Sequence, residues 1–134
     1  MLTQPLKMEI IDFLEKALDL SSRRHELISS NIANSDTPGY RTADINFEAE
    51  LRRSAEATAA ASINTDSRRP MGFSSNTVNP VVYYPELEMK NDENNVDIDR
   101  EVQNLAKNGF TYSLASKLVG SRFSILGYAI REGR

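Results

Sequence analysis

Residues 97–131 read DIDREVQNLAKNGFTYSLASKLVGSRFSILGYAIR. Alternating steps of four and three from Ile98 land on Val102, Leu105, Gly109, Tyr112, Ser116, Val119, Phe123, Leu126 and Ile130, and eight of these ten positions are apolar or aromatic. That spacing places them along one side of an α-helix, as the a and d seam of a heptad repeat. Asp97, Asp99 and Glu101 at its start and Arg131 and Arg134 at its end complement the helix dipole. Asn108–Gly109 is a pair that favours turns, yet the register runs through it unbroken, so one continuous helix is expected.

The other end of the chain carries the same rule. Steps of three and four land on Ile11, Leu14, Leu18, Ser21, His25, Ile28 and Ile32, with Glu15, Lys16, Arg23 and Glu26 elsewhere. At 1.5 Å rise per residue, helices of this kind are about 35 to 50 Å long and too narrow-faced to bury themselves alone. An antiparallel hairpin whose seams satisfy each other is the simplest outcome. It leaves one feature over. Ala106, Ser113, Gly120 and Gly127 recur every seven residues beside the apolar stripe, and their small side chains suit the close approach of a second helix. Glycine costs about 1 kcal/mol relative to alanine in a helix interior, so the two glycines point to compensation from packing, and neighbouring subunits are the expected source. His25 is expected to be a packing residue, since no Cys or second His accompanies it.

Between the helices the material changes. The net charge is −1 over residues 1–34, −4 over 35–96 and +2 over 97–134, giving −3 for the 134 residues. Phe47 to Ala61 is rich in helix formers, with Phe47 and Leu51 one turn apart, which predicts a short third helix. Residues 62–80 are rich in Ser, Asn, Thr and Pro and read as a loop. Val81 to Tyr84, bounded by Pro80 and Pro85, reads as a short strand or extended run, with Tyr83 and Tyr84 as packing residues ahead of contact residues at an interface. The expected fold is all-α. Long heptad helices at 1–34 and 97–134 pair as a coiled coil around an irregular middle segment at 35–96, all one structural unit.

Composition removes most chemistries. There is no Cys, no Trp and one His, so metal sites and nucleophilic triads lack their parts. The one close acidic pair on an expected helix, Asp97 with Glu101, is explained by helix-start chemistry. Arg23–Arg24, Arg52–Arg53 and Arg68–Arg69 are scattered among acids and read as solvated surface, not as a nucleic-acid stripe. No apolar run approaches the roughly 18 residues of a membrane span. Glu9, Asp12 and Glu15 interrupt any secretory signal core, so export would need a route without a cleaved signal peptide. No cofactor, metal, nucleic acid or small-molecule substrate is expected.

The most specific local sequence follows the first helix directly, Asn31-Ile32-Ala33-Asn34-Ser35-Asp36-Thr37-Pro38-Gly39-Tyr40-Arg41. It reads as a helix stop and a reversal. Asn34 is expected to take the left-handed conformation that closes helices, Asp36 and Thr37 to bond freed backbone groups, and Pro38–Gly39 to form the centre of a type II turn. Tyr40 then folds back onto the helix end.

The pattern at Asn31, Ala33, Asn34, Thr37, Pro38, Gly39 and Tyr40 resembles the N-terminal signature of the bacterial flagellar axial proteins. Leu18-Asp19-Leu20, Ser22 to His25, Asp44 to Phe47 and Asn95 to Asp99 look like the rod branch, and within it the subunits of the proximal rod. The resemblance covers about residues 10 to 50 and 92 to 131. Gly109, Gly120 and Gly127 depart from the residues more common there. The resemblance implies a structural, non-catalytic subunit, exported through the flagellar type III apparatus and polymerised into the rod that carries torque from motor to hook. Implied partners are further copies, other rod proteins, the small rod-base adaptor and the membrane-embedded MS ring. A cytosolic helical adaptor or secretion chaperone forming a stable dimer is the alternative, and it gives no reason for the Asn31 to Tyr40 turn.

Overall fold

The computed structural model describes residues 4–63 and 79–132, so most of the expected loop at 62–80 lies outside the described residues. Helix α1 runs Gln4–Ala33, strand β1 Asp44–Ile45, helix α2 Phe47–Ile63, strand β2 Val82–Tyr83 and helix α3 Ile98–Glu132. The architecture is all-α, with one two-residue antiparallel ribbon that pairs Asp44 with Tyr83 and Ile45 with Val82.

Helix starts follow from capping. The Asn46 carboxamide accepts from Ala49 N at 3.1 Å, and Glu48 and Glu50 occupy the first turn of α2. Asp97 caps α3 by accepting from Arg100 N at 3.2 Å, with Asp99 and Glu101 in that first turn and Arg131 in the last. Helix α1 has no basic residue in its last turn, so its order rests on packing. Asn108 and Gly109 lie inside an unbroken α3.

The two long helices are antiparallel. Asn31 near the end of α1 meets Glu101 near the start of α3, Ser21 meets Asn108, and Leu14 and Ala17 share a core cluster with Ala115. Phe47 and Leu51 of α2 close that cluster from the other side, with Ile10, Leu18 and Val119 at its edge. The contact line differs from the heptad seam by one residue. On α1, Leu14, Ser21 and Ile28 are buried as the seam requires, but the alternate positions are filled by Ala17, Arg24 and Asn31, not by Leu18, His25 and Ile32. Leu18 and Ile32 are half-buried, and His25 is exposed, contrary to its expected packing role. On α3 the buried residues are Glu101, Asn108 and Ala115, each one place before an expected seam position. The reason is polar. The side chains of Glu101 and Asn108 bond Asn31 and Ser21 of α1, and turning them inward rotates the apolar stripe aside.

Ile28 is fully buried, whereas Phe110 is 72% exposed. Ile28→Ala should therefore lower unfolding stability by about 2–5 kcal/mol, while Phe110→Ala stays within about 0.5 kcal/mol of the parent, both read from denaturant unfolding followed by far-UV ellipticity.

Candidate functional site: the turn after the first helix and the faces of the last

The turn begins where α1 ends. Asn34 N bonds Ser30 O at 3.0 Å, and the Asn34 side chain donates to the same carbonyl at 2.8 Å. Helix-end carbonyls are thereby satisfied without a left-handed residue. Asn34 does not have a positive φ, which corrects the expected helix stop; among the described residues that conformation occurs at Gly39, φ 72°, and Glu93, φ 63°. Gly39 follows Pro38, and Tyr40 N bonds Thr37 O at 3.3 Å, the geometry of a type II turn, whose third residue needs positive φ. The Thr37 hydroxyl reaches the Asn34 side chain at 3.2 Å rather than a free backbone group.

Tyr40 does fold back. Its hydroxyl lies 3.1 Å from Ser30 Oγ and donates to Asn31 Oδ1 at 3.2 Å. Asn31, fully buried, is where the elements join. Its Nδ2 donates to Ala43 O and to Glu101 Oε2, each at 2.9 Å, and its Oδ1 also accepts from Ala43 N at 3.1 Å. Two donor hydrogens and two lone pairs are all used. The carboxamide thus binds residue 43 as a neighbouring strand would, and holds a buried carboxylate of α3 at the same time.

A second pair of asparagines fixes the other side of the turn. Asn94 Nδ2 donates to Asn34 O at 3.0 Å and to Thr37 O at 2.8 Å. Asn95 Oδ1 accepts from Thr42 N at 2.7 Å, while Asn95 N bonds Tyr40 O and Gly39 N bonds Asp92 O. The segment leading into α3 is therefore laced to the turn along its length. Reversal at Lys90 to Asn94 puts Glu93 in the left-handed region, a conformation that is uncommon outside glycine.

Below the turn, Arg24 grips Asp44 with two parallel bonds, Nε to Oδ1 at 2.7 Å and an Nη to Oδ2 at 2.8 Å. The Asp44 hydrogen bond raises the Arg24 pKa above its ordinary value against the opposing effect of burial, with further help from the Asp44 charge. The guanidinium therefore stays charged. Arg24 is not solvated surface, as its place in an Arg pair suggested; Arg23 is, paired with Glu26 one turn on.

The remaining expected residues divide by exposure. On α1 and at its end, Leu14 and Ile28 are buried, Ile11, Leu18, Ile32 and Asn34 half-buried, and Ala33, Thr37, Pro38 and Gly39 exposed. On α3, Leu105, Val119 and Leu126 are half-buried, whereas Ile98, Val102, Tyr112, Phe123 and Ile130 are exposed. Phe110, Leu114, Leu118, Ile125 and Tyr128 are exposed as well. Ala106, Ser113 and Gly120 face solvent, and a Cβ at Gly120 or Gly127 would meet no atom within 4 Å. Tyr83 and Tyr84 also point outward, contrary to their expected packing role.

Among the described residues, no group of three or more His, Asp or Glu is placed to hold a metal ion, and no helix is long and apolar enough to cross a membrane. The polar residues gathered at the turn spend their hydrogen bonds on one another and on backbone. Such an arrangement fixes a shape.

Residues 11–41, most of α1 and the turn, match the family model described as flagella basal body rod protein. Over 90% of the chain, the sequence is 34% identical to the flagellar basal body rod protein FlgB of Salmonella typhimurium, covering 92% of that protein. It is 33% identical to FlgB of Yersinia enterocolitica and 32% identical to FlgB of Borrelia hermsii, covering 93% and 95% of those proteins. The chain belongs to the flagellar basal-body rod protein family. It is a structural protein of the flagellar rod, and its matched segment includes the turn from Asn31 to Tyr40.

Sequence reading passed over Asn94 and gave Arg24, Glu101 and Asn108 other roles, as solvated surface, helix-start acid and turn-favouring residue. A signal existed for Asn94, which stands beside Asn95 just before a helix start. None existed for the other three, whose partners lie 20 or more residues away. Asn31→Ala should cost about 2–4 kcal/mol, since it strips the buried Glu101 carboxylate and the Ala43 backbone of their partner together. Asn31→Asp should cost at least as much through its charge facing Glu101, and a denaturant midpoint equal to the parent in either variant would show that the junction is held elsewhere.

Proposed function

We propose that the chain builds the proximal rod of the flagellar basal body by polymerising through the exposed faces of its terminal helices, and that the assembled rod passes torque from motor to hook. One observation carries this reading. Helix α3 presents an apolar stripe containing Val102, Tyr112, Phe123 and Ile130 to solvent along most of its length. Burying each such side chain contributes about 1.5–3 kcal/mol, which is a large unused driving force for a small chain. Its complement is a helix or helix pair presented by a neighbouring subunit, with Ala106, Ser113, Gly120 and Gly127 admitting the closer backbone. The turn at Asn31 to Tyr40 fixes the angle at which the irregular segment leaves the helix pair.

The proposed partners are further copies, other rod proteins, and the rod-base adaptor and MS ring at the cell-proximal end. Export proceeds through the flagellar type III apparatus without a cleaved signal peptide. Catalysis, nucleic-acid binding and a bound cofactor form no part of the role.

Deleting the gene and imaging basal bodies tests the role itself: rings without a rod are expected, and intact rods would refute it. The interface is tested by Gly120→Leu with Gly127→Leu. A side chain at either place meets open space in the single chain, and helix propensity improves by about 1 kcal/mol per site. The double variant should stay soluble and fold at least as well while rod assembly fails; normal assembly would remove the small-residue stripe from the interface.

A further inference from the structure

Asn108 is the one asparagine in the sequence that is followed by glycine. An asparagine carboxamide is open to attack by the backbone nitrogen of the next residue, and glycine there hinders the approach least, having no side chain. The fold does not call for that glycine. Gly109 has ordinary helical backbone, and a Cβ on it would meet no atom within 4 Å. Glycine is also among the least favourable residues in a helix interior.

In the folded chain the reaction is blocked in two ways. The Asn108 side chain is buried, and its Nδ2 is tied to Ser21 O of α1 at 2.8 Å. The Gly109 nitrogen sits inside α3, where its N–H belongs to the i to i−4 ladder. Both restraints end when α3 separates from α1 and its middle unwinds.

We infer that Asn108–Gly109 is a self-modification site, closed to deamidation while α3 is paired with α1 and open in chains where that pairing is lost. Hydroxide removes the Gly109 amide proton, and the nitrogen attacks Cγ of Asn108. A carbon–nitrogen bond forms, the Cγ–Nδ2 bond breaks, and the Nδ2 nitrogen leaves as ammonia, giving a five-membered imide. Water then opens the ring at either carbonyl. Opening at Cγ leaves aspartate; opening at the Asn108 main-chain carbonyl leaves isoaspartate, with the chain rerouted through the side chain. One water is consumed and one ammonia released, with no oxidant or reductant.

Neither product restores the original contact. A carboxylate has no hydrogen for Ser21 O and brings negative charge against that oxygen in a buried place. Isoaspartate also adds a carbon to the backbone and breaks the helical ladder. A chain that stays unpaired is thereby turned against pairing. This holds for the helix pair of the single chain, whatever assembly the chain enters.

The test incubates the full chain in mildly alkaline buffer with and without guanidinium, and follows the Asn108 peptide by mass spectrometry and isoaspartyl methylation. Conversion should run about tenfold or more faster in the denatured chain, because the folded rate is scaled by the open fraction. Within the denatured chain it should be faster at Asn108 than at Asn104, which precedes leucine. Gly109→Ala should suppress conversion and hold or raise the unfolding midpoint, since alanine is the better helix former and meets open space there. Asn108→Asp should lower that midpoint, whereas Asn91→Asp, at an exposed position, should not. Equal rates in the two buffers, equal rates at Asn108 and Asn104, or an unchanged midpoint for Asn108→Asp would each overturn the inference.

Discussion

Asn31 is a neutral side chain with four polar contacts, and the rest of the molecule is arranged around keeping all four. Its amide pairs with the backbone of Ala43, its nitrogen holds the Glu101 carboxylate, and its oxygen takes the Tyr40 hydroxyl. A buried carboxylate without a donor is strongly unfavourable, so α3 has one acceptable rotation and one acceptable height against α1. The turn inherits its path from the same group, since Tyr40 and Ala43 both lie past the reversal and both return to Asn31. Asn94 and Asn95 then bind the outgoing strand of chain to the incoming one.

This arrangement separates two tasks that a simple coiled coil would combine. The contact between α1 and α3 uses Glu101, Asn108 and Ala115, a line whose first two members are polar. Polar contacts add little net free energy when satisfied and cost much when broken, so they select a geometry more than they strengthen it. Apolar area is spent differently. Leu14, Ala17, Phe47 and Leu51 close a small cluster around Ala115, midway along the helices, while most of the large apolar side chains of α3 remain at the surface. Intramolecular order is specified by hydrogen bonds, and hydrophobic surface is left for contacts with other molecules.

The periodicity of residues 98–130 and 11–32 was enough to read two long helices and an all-α fold, because 3.6-residue spacing is written locally. Proline and glycine at 38 and 39 were enough to read the type II turn. Two local expectations failed on competition: Asn34 bonds Ser30 instead of turning left-handed, and His25 lies outside because Arg24 takes the inward place to reach Asp44. Rotation of α3 was not legible. A heptad rule assigns the richest apolar stripe to the nearest partner, but Asn31 with Glu101 and Ser21 with Asn108 are separated by 70 and 87 residues. No local pattern announces such pairs. Tyr83 stands exposed opposite Asp44, its buried partner across the ribbon, so which strand is covered is likewise set by packing that no local pattern records.

The two polar contacts between the long helices lie at Ser21 and Asn31, ten residues apart on α1 and so about 15 Å along its axis. An apolar helix seam can creep, since one leucine slides past another with little change in energy. Two separated dowels cannot. Shifting α3 by one heptad, about 10 Å, would part Glu101 from Asn31 and Asn108 from Ser21, leaving the buried carboxylate without its donor. Load applied along the helices therefore meets a pair that behaves as a single stiff strut, with its compliance confined to the segments beyond the turn.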